Sequence, residues 1–161
     1  FNNSNSPRLE EICIQEAWID DQSSEEIASF IKILREAGAL DVSHSLINMK
    51  KGRMGFSVTV ILPIEKEKYF RDLWFNQTNT IGIRERRQKR WTLLRREGVC
   101  MTSFGKLKFK QVIKSNGELK LKPENDEIFI LQKKYKKSPD EIKQIINESM
   151  GEFIPLEEEW K

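Results

Sequence analysis

One histidine, His44, and two cysteines, Cys13 and Cys100, are all that 161 residues offer of those two types. A Cys/His zinc cage or a Ser-His-Asp triad within this chain is thereby excluded. Two cysteines in apolar stretches form no disulfide framework, which predicts a reducing, cytoplasmic setting. No apolar run approaches the roughly 18 residues that a membrane-crossing helix needs. Phe1 stands where an initiator Met would, and no apolar leader follows, so the expectation is a piece of a longer chain. A large excess of one charge is also missing, at 28 basic against 25 acidic side chains. The balance hides an asymmetry, because residues 81–122 carry 13 basic and 3 acidic side chains, a net +10, and the flanks are acidic. A concentrated basic middle predicts a polyanionic partner.

The periodicities order the chain. Residues 1–8 are polar and read as a linker remnant. Ile12, Ile14 and Trp18 recur with period two, as in a strand. Ser23 and Glu26 make a capping-box pair, Ile27, Phe30, Ile31 and Leu34 follow at helical spacing, and Gly38 supplies the stop. Leu40, Val42 and Leu46 alternate through His44, which reads as a structural histidine. The basic loop Lys50-Lys51-Gly52-Arg53 leads into Phe56, Val58, Val60 and Leu62, a strand closed by Pro63. Tyr69, Phe70, Leu73 and Trp74 mark a second helix, and Ile81 and Ile83 open an arginine-rich strand. This order over residues 9–90 is the split βαβ, ferredoxin-like pattern.

Beyond it, Trp91–Thr102 and Lys106–Ile113 predict a β-hairpin. Asn116-Gly117 marks a further turn, and two short helices follow, one carrying Ile128, Leu131 and Tyr135 and one opened by Ser138-Pro139-Asp140-Glu141. The predicted class is therefore α+β: a ferredoxin-like unit over 9–90, a hairpin with two short helices over 91–150, and a solvated acidic tail over 151–161. Trp18, Trp74 and Trp91 are expected in cores.

Four places could carry chemistry. If residues 82–91 are extended, Arg84, Arg86 and Arg90 share one face, with neighbours roughly 6–7 Å apart, a good match to successive phosphates. Glu85 and Glu97 are too few to neutralise the seven basic residues between Arg84 and Arg96, which argues against a merely solvated face. Lys50, Lys51 and Arg53 surround a glycine that lets backbone approach an anion, although lysine-rich turns also serve solubility alone. The spacing is not that of a Walker A loop. Asp20-Asp21 and, at a second strand-to-helix junction, Glu124 are either helix caps or carboxylates for a divalent ion escorting nucleotide phosphates. Thr78, Thr80 and Gly82 form a polar turn before the arginine strand.

Several segments together resemble the C-terminal domain of the LarC family of nickel-insertion proteins. They are Ile19-Asp20-Asp21, residues 36–42 (Glu-Ala-Gly-Ala-Leu-Asp-Val), Met49-Lys50-Lys51-Gly52-Arg53, residues 78–84 (Thr-Asn-Thr-Ile-Gly-Ile-Arg), Arg90, Arg96-Glu97, Phe104-Gly105 and Pro123-Glu124. They fall in family order over about residues 15–145. The resemblance implies that CTP binds here with Mg²⁺ or Mn²⁺. It further implies that CMP is transferred to a pyridinium bisthiocarboxylate mononucleotide with loss of pyrophosphate, and that nickel is then inserted to give the nickel-pincer cofactor of lactate racemase. On that reading Lys50, Lys51, Arg53, Thr78, Thr80, Arg84, Arg86, Arg90 and Lys110 are phosphate-binding, and Asp20, Asp21 and Glu124 hold the nucleotide's metal. No catalytic residue is assigned. Nickel is a substrate ion whose ligands are expected in the family's N-terminal domain, a partner of this one. A trimer or hexamer is implied.

Ala17-Trp18 departs from the small polar pair usual in the family, and Asn125-Asp126 from its aromatic-acid step. Two other readings remain. An RNA-binding ferredoxin-like module would need exposed aromatics among the basic residues, and Trp91 alone lies between Arg84 and Arg96, on the opposite face by parity, which disfavours nucleic acid. A non-catalytic regulatory domain could also retain the fold.

Overall fold

A computed structural model describes residues 7–161, which divide into two units, Leu9–Arg90 and Trp91–Lys161. Residues 1–6 of the expected linker lie outside the described residues, whereas Arg8 opens the first strand.

The first unit runs β1 (Arg8–Ile19), α1 (Ser24–Glu36), β2 (Asp41–Asn48), β3 (Met54–Pro63), α2 (Glu67–Gln77) and β4 (Arg84–Thr92). Its sheet has the order β2-β3-β1-β4, with β3 antiparallel to both β1 and β2, as the split βαβ pattern requires. The Ser23 and Glu26 capping box forms as predicted, with Ser23 Oγ accepting from Glu26 N at 3.2 Å and the Glu26 carboxylate accepting from Ser23 N at 2.7 Å. After α1 the chain turns at Gly38, whose φ of 90° suits glycine, and Lys66 Nζ donates to Ala37 O at 2.9 Å across the helix end.

The core lies between the helices and one face of the sheet. Cys13, Ala17 and Ile19 of β1 meet Val58, Val60 and Leu62 of β3, Ile27, Phe30 and Leu34 of α1, and Phe70 and Trp74 of α2. Phe30 and Trp74 pack edge to face, 5.0 Å between ring centres. The core-facing residues of β1 are thus the odd ones, opposite to the parity of Ile12, Ile14 and Trp18. Gln15 belongs to the odd set and is fully buried. It accepts from Trp74 Nε1 at 3.2 Å and donates to Glu67 O at 3.0 Å and to Glu85 at 2.7 Å, so each polar atom of its amide is satisfied. Burial pushes the Cys13 thiol up to about 12 and raises Cys100 as well.

The second unit runs β5 (Arg95–Thr102), β6 (Gly105–Ile113), β7 (Leu119–Pro123), α3 (Asn125–Tyr135), α4 (Pro139–Ser149) and β8 (Ile154–Pro155). Its strands order β7-β6-β5-β8. Cys100, Leu107 and Phe109 on one face pack against Ile128 and Leu131 of α3 and Ile142 and Ile146 of α4. The hairpin is therefore part of a four-stranded sheet, and Trp91 belongs to the end of β4 instead.

Two expectations about the remaining segments are corrected. Glu157, Glu158 and Glu159 are exposed, but the tail around them is docked. Gly98 and Val99 pair with Pro155 and Ile154, and Arg95 and Lys161 exchange both backbone hydrogen bonds at 2.9 Å. His44 is exposed on the edge strand β2, its ring centre 6.5 Å from that of Phe56. No helix among the described residues is long and apolar enough to cross a membrane.

Candidate functional site

Three segments of the first unit meet at one end of its sheet. The first is the exit of β1, Asp20-Asp21-Gln22. The second is the β2–β3 hairpin tip, where Met49 N donates to Arg53 O at 2.7 Å and Arg53 N reaches Lys50 O at 3.5 Å. Lys51 and Gly52 both take the left-handed conformation there, with φ of 61° and 72°. That choice costs Lys51 backbone energy and turns the tip within three residues. The register Ile19↔Phe56 brings the tip alongside Asp20, and Arg53 Nε lies 3.3 Å from Asp20 Oδ2. Gly55 makes the approach feasible, since a Cβ there would stand 2.8 Å from Ile19 O.

The third segment is the loop between α2 and β4, tied to the β1 exit by Asn79 N donating to the Gln22 side chain at 3.2 Å. Its hydroxyls are occupied. Thr78 Oγ1 donates to Trp74 O at 2.7 Å and accepts from Thr80 N at 3.2 Å, and Thr80 Oγ1 donates to Gly82 O at 2.8 Å. Both threonines shape the loop. Ile81, expected to open the strand, is fully exposed, and β4 begins at Arg84.

Arg84 emerges beside this end, with its guanidinium over the Trp18 ring at 4.4 Å and Nε donating to Glu16 at 2.9 Å. That hydrogen bond and charge hold the Glu16 carboxyl below the usual range, with Thr59 and Arg86 adding to the effect. Arg84 and Arg90 contact β1 residues of even number, so the predicted parity of Arg84, Arg86 and Arg90 agrees with the contacts. Arg90, however, bonds Glu10 at the opposite end of the strand, about 20 Å from Arg84 at 3.3 Å per residue. The odd residues point to the helices, where Arg87 bonds Glu67 at 2.9 and 3.1 Å and Glu85 bonds Arg71 at 2.7 Å.

The supposed shortage of acids near the arginine strand is therefore corrected. Glu10 and Glu16 of β1 and Glu67 of α2 supply what the local sequence lacks. Lys50 and Lys51 are exposed and form no ion pair among the described residues, whereas exposed Arg86 lies within electrostatic reach of Glu16. Asp20 stands beside the tip, and Asp21 follows it in the chain. Among the described residues no three His, Cys, Asp or Glu side chains cluster as a ready cation cage.

Lys110 and Glu124 lie in the second unit and pair with each other at 3.0 Å. They border a cavity of about 420 Å³ that Lys108, Asp126, Glu127 and Ile130 also line. The sequence's basic middle is thus divided between the units. In the second, Lys106, Lys108 and Lys110 of β6 alternate away from buried Leu107 and Phe109, and Lys122 of β7 sits opposite Lys110.

What the sequence reading missed is Trp18. It is 54% exposed on the sheet face turned from the helices, and Trp91 is 67% exposed, so only Trp74 of the three fulfils the expected core role. The signal was present in Glu10 and Glu16, charged residues in step with Trp18, although Ile12 and Ile14 between them are buried.

Comparison with known proteins adds the following. The profile of a family described as nickel insertion protein matches residues 2–143. A Gloeothece citriformis protein named for nickel insertion is 38% identical over 130 residues, 81% of this chain and 30% of its own length. The pyridinium-3,5-bisthiocarboxylic acid mononucleotide nickel insertion protein of Clostridium kluyveri is 33% identical over 141 residues, 88% of this chain and 35% of that protein. The chain thus spans about a third of the length of these curated relatives. Among solved structures, the apo C-terminal domain LarC2 of a cyclometallase involved in synthesis of the NPN cofactor of lactate racemase superposes with a TM-score of 0.78 at 25% identity. That match covers 88% of this chain and 98% of the domain.

Proposed function

The chain belongs to the nickel insertion protein family, and on that premise we propose that it is the nucleotide-handling part of a cyclometallase that completes a nickel-pincer cofactor. CTP is the nucleotide in this reading. The observation that carries it is the hairpin tip Lys50–Arg53 laid against Asp20, where two lysines without an acidic partner flank an arginine paired with a carboxylate.

Lys50, Lys51 and Arg53 bind the triphosphate, and Arg84 and Arg86 extend the positive field along β4. Their work is to neutralise charge in the ground state and to stabilise the charge that develops on departing pyrophosphate. Asp20 and Asp21 suit the Mg²⁺ or Mn²⁺ that accompanies a triphosphate, because such ions take one or two protein carboxylates and fill their shell with phosphate oxygens and water. When bound, the ion supplies further charge neutralisation. Thr78 and Thr80 serve by holding the loop. Arg90 bonds Glu10 at the far end of β4, and Lys110 and Glu124 pair with each other within the second unit; no role is proposed for these three.

CMP transfer to the pyridinium bisthiocarboxylate mononucleotide is the activation that precedes nickel insertion in this reading. Nickel is the substrate ion, and its coordination rests with other parts of the full protein. Cys13 and Cys100 are buried and their thiols are pushed toward the protonated form, which suits them poorly to bind a metal, and His44 stands alone. Assembly as a trimer or a pair of trimers in the cytoplasm completes the proposal.

Isothermal titration with CTP, ATP and GTP in Mg²⁺ or Mn²⁺ tests it. CTP should bind above the others, and Lys51→Ala should weaken it about tenfold, in the range of a lost charge-assisted phosphate contact. Equal or absent binding of all three nucleotides to the folded chain overturns the reading. Unchanged CTP affinity in both Lys51→Ala and Arg84→Ala favours a regulatory domain that keeps only the fold.

A further inference from the structure

Trp18 stands on the helix-free face of the first sheet, and its surroundings are unequal. Directly opposed residues of an antiparallel ladder share a face. The register therefore places Ser57 of β3 beside Trp18 and Ser45 of β2 beyond it, with Thr59 and Ser43 one step along, next to Glu16. Next to Trp18 and Glu16 these four short hydroxyl side chains make a low polar floor, with Ile61 and Ile47 beyond it at either end. From the other side, β4 sends Arg84 over the indole at 4.4 Å. The guanidinium is fixed in place by Glu16 at 2.9 Å, and Glu16 also accepts from the Thr59 hydroxyl at 3.3 Å.

An indole backed by a fixed cation and otherwise 54% exposed is a stacking platform. Its position suits one kind of ligand. Asp20, with Arg53 against it, follows Trp18 by two residues, about 6–7 Å along the strand. A planar ring on Trp18 thus has the phosphate-binding tip at the distance that a ribose and its first phosphate bridge.

We propose that Trp18 is a specificity-determining platform that stacks the six-membered heteroaromatic ring of a ribonucleotide, its phosphates directed to Lys50, Lys51 and Arg53. The ring is either the pyrimidine of a cytidine nucleotide or the pyridinium of a mononucleotide, since both are flat, electron-poor and joined to ribose phosphate. Ser57 and Ser45 offer donors and acceptors to the substituents at the ring edge. This deepens the nucleotide reading given above and rests on it.

Titration calorimetry on the whole 161-residue chain separates the two. The ligands are CTP and nicotinic acid mononucleotide, each with Mg²⁺, and inorganic tripolyphosphate, which has no ring. The variants are Trp18→Ala and Trp18→Phe, both at an exposed position that leaves the core intact. Trp18→Ala should lose about tenfold or more in affinity for at least one ring-bearing ligand, Trp18→Phe should retain most of it, and tripolyphosphate should bind all three proteins alike. The ligand that responds identifies which ring uses the platform. If CTP and nicotinic acid mononucleotide both bind Trp18→Ala as tightly as the parent, the platform is refuted while the nucleotide reading stands. If none of the three ligands binds the parent chain, the nucleotide reading itself falls, and the platform with it. Salt-dependent binding of single-stranded RNA that exceeds both mononucleotides, and that Trp18→Ala abolishes, replaces the proposal with a nucleic-acid surface.

Discussion

Two arginines, one in each unit, are built into the same device with one atom changed. Arg84 lies 4.4 Å from the centre of the Trp18 ring and donates from Nε to the Glu16 carboxylate at 2.9 Å. Arg96 lies 4.5 Å from the Trp160 ring and donates from Nε to the Gln111 amide oxygen at 2.8 Å. The guanidinium is oriented equally well in both. Only the first is neutralised by its orienting partner, and only the first tryptophan is more than half exposed on an open sheet face. In the second, the tryptophan arrives from the docked C-terminal segment, and Phe153 approaches the same guanidinium at 5.8 Å. Identical chemistry thus serves presentation in one place and closure in the other, and what decides is whether the ring's far side meets solvent or chain.

The comparison breaks most sharply at Gly98. A side chain there would overlap the Phe153 ring and stand 2.6 Å from Ile154 O. Gly98→Val should therefore expel β8 and cost about 1–3 kcal/mol, the range for overpacking. Thermal denaturation should register the loss, and limited proteolysis should cut after residue 150 much faster than in the parent. A tail that stays protected would refute closure as the role of this arginine site.

Trp160→Ala should give the same proteolytic phenotype more weakly, with about 1 kcal/mol lost, since the backbone pairs at Arg95 and Gly98 survive while the cation–π contact goes. Trp18→Ala, by contrast, should leave stability almost unchanged. Equal destabilisation by the two changes would erase the distinction drawn here.

The smallest effect is expected from Glu16→Gln, which turns the first site into a copy of the second. Glu16 is held below its ordinary range in the folded state by Arg84. Its contribution is complete above the unfolded glutamate range and is lost as pH falls through the lowered folded value. The parent should thus lose stability relative to Glu16→Gln on acidification below about pH 4, by less than about 1 kcal/mol because the pair is partly exposed. Chemical denaturation at pH 7 and pH 3 reads the difference, and a pH-independent gap would show that charge is not what separates the sites.

Much of the first unit was legible in the sequence because its signals are local. The capping box at Ser23, the turn at Gly38 and the strand ended by Pro63 depend on residues within a few positions of one another. The parity of β4 was readable for the same reason. What could not be read is which β1 face the helices cover. Ile12 and Ile14 on one face and Cys13, Gln15 and Ala17 on the other are all buried, so hydrophobicity alone does not choose between the two faces. The true core face is satisfied by contacts 52, 59 and 70 residues away. The same distance effect hid the acids. Glu10 and Glu16 are far from Arg90 and Arg84 in sequence and adjacent only through the β1–β4 pairing. At the candidate site, the convergence of Asp20 with the hairpin tip follows from the β1–β3 register, which no single segment specifies. The docking of the tail was invisible because three consecutive glutamates dominate its composition while Phe153 and Trp160 hold it.

That docking sets an order of events during synthesis. The first unit has all four of its strands once residue 92 has been made. The outer edge of β5 stays unpaired until residues 154–161 follow, more than fifty positions later. Through that interval Val99 and Met101 lie on an open strand edge, the kind of surface on which nascent chains pair with one another. Translation speed and chaperone supply between residues 102 and 154 should therefore affect the yield of folded protein.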